Sequence, residues 1–237
     1  MKSATTRKAA LILIDVQNAF LHPAAFGDLA KRSTPKCEEN IATLLKQARD
    51  YNENLPATRI SSSILICHYQ QVHPQQFTTS RFNERVWVKN VSSAFVGTGL
   101  ERFLKDSGVR QLIICGLTTD HCLSTSTRMA NNLRIVDVVE NGVLVDGGDI
   151  ILVGDACATF ARGGIDAETI HKVNLASLDE EFAHVRETAE AIEKVLIEVP
   201  GSDCQTLPNA VNQLGSMLYL YILVYWIFKS PPGRVPT

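Results

Sequence analysis

Four short, continuous apolar runs limit what this chain can fold into. They are Ala9–Ile14 (containing ALILI), Ser63–His68 (SILICH), Arg110–Cys115 (RQLIIC) and Ile150–Val153 (IILV). Each is rich in Ile, Leu and Val without polar alternation, so each suits a strand covered on both faces. Helix-like segments lie between them. Lys36–Tyr51 carries Ile41, Leu44, Leu45 and Ala48 at helical spacing. Thr98-Gly99-Leu100-Glu101 has the pattern of a capping box opening a short helix that ends near Gly108. Ser124 to Ala130 reads as a helix with small residues in its first turn, and Asp166 as the cap of another. Ser177-Leu178-Asp179-Glu180 repeats the capping-box pattern before an expected helix over Phe182–Ile197. Strand alternating with helix predicts a parallel sheet with helices on both faces. Asn132–Gly148 interrupts the rhythm, and its Asn141-Gly142 and Asp146-Gly147-Gly148 steps predict a hairpin-like insertion.

With 237 residues, 45% of them hydrophobic, the chain can bury a substantial core, and one domain over residues 8–199 is expected. A net charge of −2 without basic runs gives no footprint for nucleic acid. Six cysteines (Cys37, Cys67, Cys115, Cys122, Cys157 and Cys204) are scattered without CxxC pairs. Three lie in apolar strand contexts, which points to reduced thiols and a cytoplasmic setting. The opening MKSATTRKAALILIDVQ is basic, but Asp15 cuts its apolar run too short for a secretory signal. Residues 200–237 differ from the rest: after a polar linker, Leu214–Phe228 is strongly apolar. Those residues would span about 22 Å as a helix, short of the roughly 20 residues a membrane core needs. A packed or oligomer-covering segment is therefore preferred to a membrane anchor.

Ligands of a parallel α/β sheet usually bind at the strand C-termini. Three reactive residues fall at or beyond such ends. Asp15 terminates the first run, Lys89 lies in WVKNVSSAF, and Cys122 follows the third run by one short loop. Taken singly, Asp15 reads as well as a helix cap, Lys89 as a solvated charge and Cys122 as a core thiol. Together they divide a reaction among themselves. A helix start and a nearby ammonium favour thiolate. A carboxylate within reach takes the thiol proton and later returns it to a leaving group. The lysine keeps that carboxylate ionised and positioned. Backbone N–H groups in the tight Thr118–Cys122 loop make a natural oxyanion site.

DVQNAF at 15–20, KNVSSAF at 89–95 and CGLTTDHC at 115–122 together resemble the isochorismatase-like cysteine hydrolase superfamily, over roughly residues 8 to 197. The resemblance implies a Rossmann-like three-layer α/β/α fold with a mainly parallel six-stranded sheet, commonly assembled as a homo-oligomer. It implies a catalytic triad of Asp15, Lys89 and Cys122, and a non-proline cis peptide at Leu117–Thr118. It also implies an oxyanion hole formed by the backbone N–H groups of Thr118 and Cys122. Gln17, Asn18, Phe20 and Leu117 are candidates for lining the pocket, with ordinary packing as the alternative. Asp120 reads as a helix cap, His121 as a bystander beside the cysteine, and the Arg162-Gly163-Gly164 turn as a plain loop or a contact for a substrate carboxylate.

Within that group, nicotinamidases carry an Asp-x-His metal motif with a further histidine after the second strand. Here the region reads ICHYQQVHPQQF, with His68 and His73 but no aspartate between residues 51 and 105. No metal and no cofactor are therefore expected. The expected activity is cleavage of a C–N bond in a small amide or N-carbamoyl compound through a thioester. The alternative is isochorismate hydrolysis, an enol-ether cleavage in which Asp15 supplies the acid. A reading of another class is a catalytically degenerate binding or assembly homologue. The short stretch from His73 to Trp87, a region that often forms a lid, leaves pocket size open.

Overall fold

The computed structural model describes residues 1–21, 31–71 and 80–197. Eight strands and five helices follow in chain order. Strand β1 is Ala9–Ile14, helix α1 Cys37–Asn54, β2 Leu65–Gln71, β3 Arg85–Lys89 and α2 Leu100–Asp106. Then come β4 Gln111–Leu117, α3 Ser124–Asn132, β5 Val138–Glu140, β6 Val143–Asp146 and β7 Asp149–Ala158. Helix α4 (Ala167–Leu178), β8 (His184–Arg186) and α5 (Thr188–Ala191) complete the described chain. A 3-10 turn at Asn18–Leu21 follows β1, and π-helical turns at Thr119–Leu123 and Ile192–Leu196 adjoin α3 and α5.

Six strands form one sheet in the order β3-β2-β1-β4-β7-β8, with every pairing parallel. The expected α/β fold with a six-stranded parallel sheet is thus observed. Alternation along the central strands divides the core in two. Leu11, Leu13, Ile113, Cys115, Ile151 and Val153 face Ile41, Leu44, Leu45 and Ala48 of α1. Ala10, Ile12, Ile14, Leu112, Ile114 and Leu152 face Leu100 and Leu104 of α2 and Ala130 of α3. Because both faces are covered, the central strands need apolar residues at every position, which is why they read as unbroken runs.

Elements at the sheet edges depart from the sequence reading. β3 is exposed along most of its length, including Val86 and Val88, and its apolar run is only three residues between Arg85 and Lys89, too short to stand out as a strand. β8 is only His184–Arg186, half-buried, and lies inside the segment expected as one long helix. The helical part there is confined to α5 and its π-helical turn. The second capping box does not form. Ser177 to Glu180 closes α4 instead of opening a helix, and the Asp179 carboxylate accepts the Val185 N–H at 2.8 Å, pinning the start of β8. The first box is altered locally, although its helix is present: the Thr98 hydroxyl accepts the Leu100 N–H, at 3.4 Å, rather than that of Glu101. The Thr98 hydroxyl donates to the Ala94 carbonyl at 2.6 Å, and Gly99 holds the cap position. Asp166 does cap α4, accepting from the Thr169 N–H at 2.8 Å. The insertion is the predicted hairpin: β5 and β6 pair antiparallel across Asn141 and Gly142, both left-handed with φ of 50° and 80°.

The strand order reverses between β1 and β4, the point at which an open parallel sheet splays into a crevice. The backbones meet closely there. Gly116 of β4 has φ 126°, and a Cβ at this position would lie 2.0 Å from the Ile14 carbonyl oxygen. Only glycine permits that approach, and it brings the ends of β1 and β4 together directly beneath Asp15 and the turn that carries Cys122.

Candidate active site

Asp15 follows the last residue of β1 and takes a left-handed conformation, φ 52°. Its N–H donates to the Tyr69 carbonyl of β2 at 2.9 Å, and its own carbonyl accepts the Gln17 N–H at 2.9 Å. These bonds hold a non-glycine residue in an unfavourable backbone region at a strand end, a common mark of functional positions. Lys89 is the last residue of edge strand β3, two strands away. Its stem crosses the end of β2, and Nζ donates to Asp15 Oδ2 at 2.8 Å, to Cys122 Sγ at 3.2 Å and to the Val91 carbonyl at 3.3 Å. Cys122 sits in the π-helical turn after β4. All three are buried, with exposures of 0% for Asp15, 2% for Lys89 and 6% for Cys122. Three segments far apart in sequence are thus joined through one ammonium group.

Burial raises the Asp15 pKa above the ordinary carboxylate range; the Lys89 charge opposes this without cancelling it. Burial likewise pushes the Cys122 thiol up, to about 11, with the Asp15 charge and hydrogen bond adding to the rise and Lys89 opposing it. The expected thiolate-favouring site is therefore not what the geometry produces. Desolvation and the adjacent carboxylate outweigh the ammonium, so the thiol keeps its proton at neutral pH. Asp15 Oδ2 is taken by Lys89, while Oδ1 is buried without a partner of ordinary hydrogen-bond geometry.

Side chains from separate elements hold the Cys122 turn. Its Leu117–Thr118 peptide bond is cis, as expected. The Thr118 carbonyl accepts from the N–H groups of His121 (3.1 Å) and Leu123 (3.3 Å). Thr119 Oγ1 lies 2.9 Å from Nδ1 of buried His171 on α4. Asp120 makes no helix cap; its carboxylate accepts the Thr159 hydroxyl at 2.5 Å, tying the turn to the end of β7. Arg162 packs its Nη1 against the His121 ring and lies 3.5 Å from Asp120 Oδ2, so the Arg162-Gly163-Gly164 turn borders the cysteine turn. Gln17 is buried beside Asp15 in sequence, and Phe20 and Leu117 are buried in the core on the α1 side of the sheet. Thr119, Thr159 and His171 carried no sequence signal, because hydroxyl–imidazole contacts between distant segments have no spacing rule.

His68 is packed, and its carboxylate partner is a glutamate, Glu84, rather than an aspartate. Its Nε2 meets Glu84 Oε2 at 2.8 Å, and Glu84 also receives Arg49 Nε and Nη2 of α1 at 2.6 and 2.8 Å. Burial would raise the Glu84 pKa, but the hydrogen bonds, led by that from Arg49, hold it down at about 2. Among the described residues, no group of three or more His, Cys, Asp or Glu side chains is placed to hold a metal ion; His73 lies outside them. A carboxyl pKa depressed on folding stabilises the fold above its unfolded value and loses that contribution as pH falls. We therefore expect the stability difference between the wild type and Glu84→Gln, roughly 2 kcal/mol at neutral pH, to shrink as the pH is lowered. From the ordinary value of 4.5 and the folded value of about 2, that window is pH 4.5 down to 2. Urea unfolding across it measures the change, and a constant difference would mean that Glu84 acts by packing alone.

A doubly wound parallel sheet with a buried carboxylate, ammonium and thiol gathered at its switch point defines an α/β protein with a candidate active site at the strand C-termini. The sequence model of the isochorismatase domain matches residues 9–190, and the chain belongs to the isochorismatase family of hydrolases. It is 34% identical over 197 residues to the isochorismatase family protein YrdC of Bacillus subtilis, covering 78% of this chain and 95% of that one. Among solved structures it resembles an isochorismatase from Pseudomonas putida, with 26% identity, a TM-score of 0.61 and coverage of 79% of this chain and 91% of the other. A cysteine hydrolase from Pseudomonas syringae shares the fold at 19% identity, with a TM-score of 0.62 and coverage of 79% and 92%. Among the described residues no helix is long and apolar enough to cross a membrane. Residues 200–237, the atypical tail, lie outside the described residues.

Proposed function

We propose that this protein is a cysteine hydrolase that cleaves a C–N bond of a small amide or N-carbamoyl compound through a thioester. The observation that carries this reading is the Lys89 ammonium bonded at once to Asp15 Oδ2 and Cys122 Sγ, at 2.8 and 3.2 Å, in a buried site. In the resting state the thiol is protonated and Asp15 pairs with Lys89. Sγ attacks the substrate carbonyl carbon while its proton passes to Asp15. The carbonyl oxygen becomes an oxyanion, held by the backbone N–H groups of Thr118 and Cys122. Collapse of this intermediate breaks the C–N bond, and the leaving nitrogen takes the proton from Asp15, departing as ammonia or an amine. Water then attacks the thioester, giving its proton to Asp15. The second tetrahedral intermediate expels the thiolate, which recovers that proton and releases the acid. Lys89 holds Asp15 in position through both halves.

The raised Asp15 carboxyl favours a second reading, isochorismate hydrolysis, because a desolvated carboxyl readily delivers a proton to an enol-ether carbon. The proposed thioester route requires a reactive Cys122. The thiols of Cys37, Cys67, Cys115 and Cys157 are all raised by burial, Cys67 and Cys115 to about 12. Iodoacetamide at neutral pH, followed by peptide mass spectrometry, should label Cys122 ahead of those four. Labelling spread evenly over the five would remove the nucleophile and favour a binding homologue without turnover.

A further inference from the structure

The cluster joins two segments with no strand pairing between them: the stretch that follows Lys89 and the turn that carries Cys122. One side chain links their backbones. Ser126, in the first turn of α3 and fully buried, donates its hydroxyl hydrogen to the Cys122 carbonyl at 2.6 Å and accepts the Ala94 N–H at 2.9 Å. A serine bonding back to the residue four before it is common in helices; accepting a buried amide from another segment is not part of that habit. Ala94 lies in irregular chain between β3 and α2, so no ladder fixes its backbone. Two hydroxyls hold it instead, Ser126 on its N–H and Thr98 on its carbonyl, the latter at 2.6 Å. The same stretch supplies the Val91 carbonyl that accepts from Lys89 Nζ.

We propose that Ser126 is a positioning residue that sets the distance between the Lys89 ammonium and the Cys122 sulfur by tying the Lys89 segment to the Cys122 turn. This rests on the reading of Cys122 as the nucleophile. Removing the hydroxyl leaves the Ala94 N–H buried without an acceptor, and the Lys89 segment must shift to resolvate it. Thr127 is a built-in comparator: it is equally buried and makes the same back-bond, to the Leu123 carbonyl at 2.9 Å, one turn back along its own helical segment.

The test is the pH dependence of iodoacetamide alkylation at Cys122 in the full chain, measured for wild type, Ser126→Ala, Ser126→Thr and Thr127→Val. Lys89 is the group that lowers the thiol, so loosening it should move the Ser126→Ala profile to higher pH. A shift of about one unit would slow labelling near neutrality about tenfold. Ser126→Thr keeps the hydroxyl and should restore the wild-type profile. Thr127→Val should lose stability and keep the profile. A Ser126→Ala profile that superimposes on the wild type, or a Thr127→Val shift of equal size, overturns the positioning role alone. Failure of the wild type to label preferentially at Cys122 overturns the nucleophile and this role with it. One measurement needs no variant: hydrogen exchange of the Ala94 amide in the wild type should be as slow as that of the α3 amides. Exchange as fast as that of unprotected loop amides would also overturn the link.

Discussion

Cys122→Ala is expected to abolish turnover of amide and N-carbamoyl substrates, by roughly four orders of magnitude or more in kcat, without loss of the fold. The thiol belongs to a core cluster with Leu123 and Ala130, but a sulfur atom is a small part of that packing. Replacing it by hydrogen leaves the Asp15–Lys89 pair at 2.8 Å intact. Asp15→Asn should lose activity to a similar extent for a different reason, because the amide can neither take the thiol proton nor return it. Since the residues act as one unit, the double variant should be little worse than either single one. The same two variants separate the two chemistries in an assay panel of small amides, N-carbamoyl compounds and isochorismate. Enol-ether hydrolysis needs an acid and water but no nucleophile, so it would survive Cys122→Ala and fail in Asp15→Asn. Loss of all turnover in both variants, with amides processed by the wild type, supports the thioester. Full amide turnover in Cys122→Ala would remove the covalent mechanism.

Much of this was legible in the sequence because of where the sheet places its residues. β1, β4 and β7 are buried on both faces, so their composition announces them, and Asp15 and Cys122 stand just beyond such runs. β3 and β8 form the sheet edges and are short: the apolar part of Arg85–Lys89 is only Val86-Trp87-Val88, and His184–Arg186 is three residues, so neither makes a run long enough to stand out. The capping-box pattern at Ser177 misled for a related reason. Its Asp179 works on the backbone of β8, a pairing that a local motif cannot register. The second layer of the site was hidden more completely. Glu84 lies sixteen residues beyond His68 in a polar stretch and looks solvated until Arg49 and His68 are seen to enclose it. Ser126 is one of four consecutive hydroxyl residues, and only the tertiary contact with Ala94 singles it out. The electrostatic expectation erred through desolvation: a helix start and a lysine beside a thiol point to thiolate only while both remain partly in water.

Lys89→Met should cost about 3–5 kcal/mol of stability as well as the activity, because it strands a buried carboxylate. At present the Lys89 charge opposes the effect of burial on Asp15. Without it the Asp15 carboxyl rises further above its unfolded value of 3.8, and the sign of the pH dependence follows. A carboxyl raised on folding costs nothing where both states are protonated. Its penalty grows as pH climbs from the unfolded value through the folded one, and is constant above that. The deficit of Lys89→Met relative to the wild type should therefore be small near pH 4 and approach its full size toward neutrality. Urea unfolding at several pH values measures it, and a deficit independent of pH would assign the loss to packing of the lysine stem. Asp15→Leu combined with Lys89→Met removes both charges from a site with almost no exposure, and should recover most of the stability while remaining inactive. Such recovery would mean that the fold does not require this ion pair. A pair that the fold can do without is what the proposed reaction at Cys122 requires.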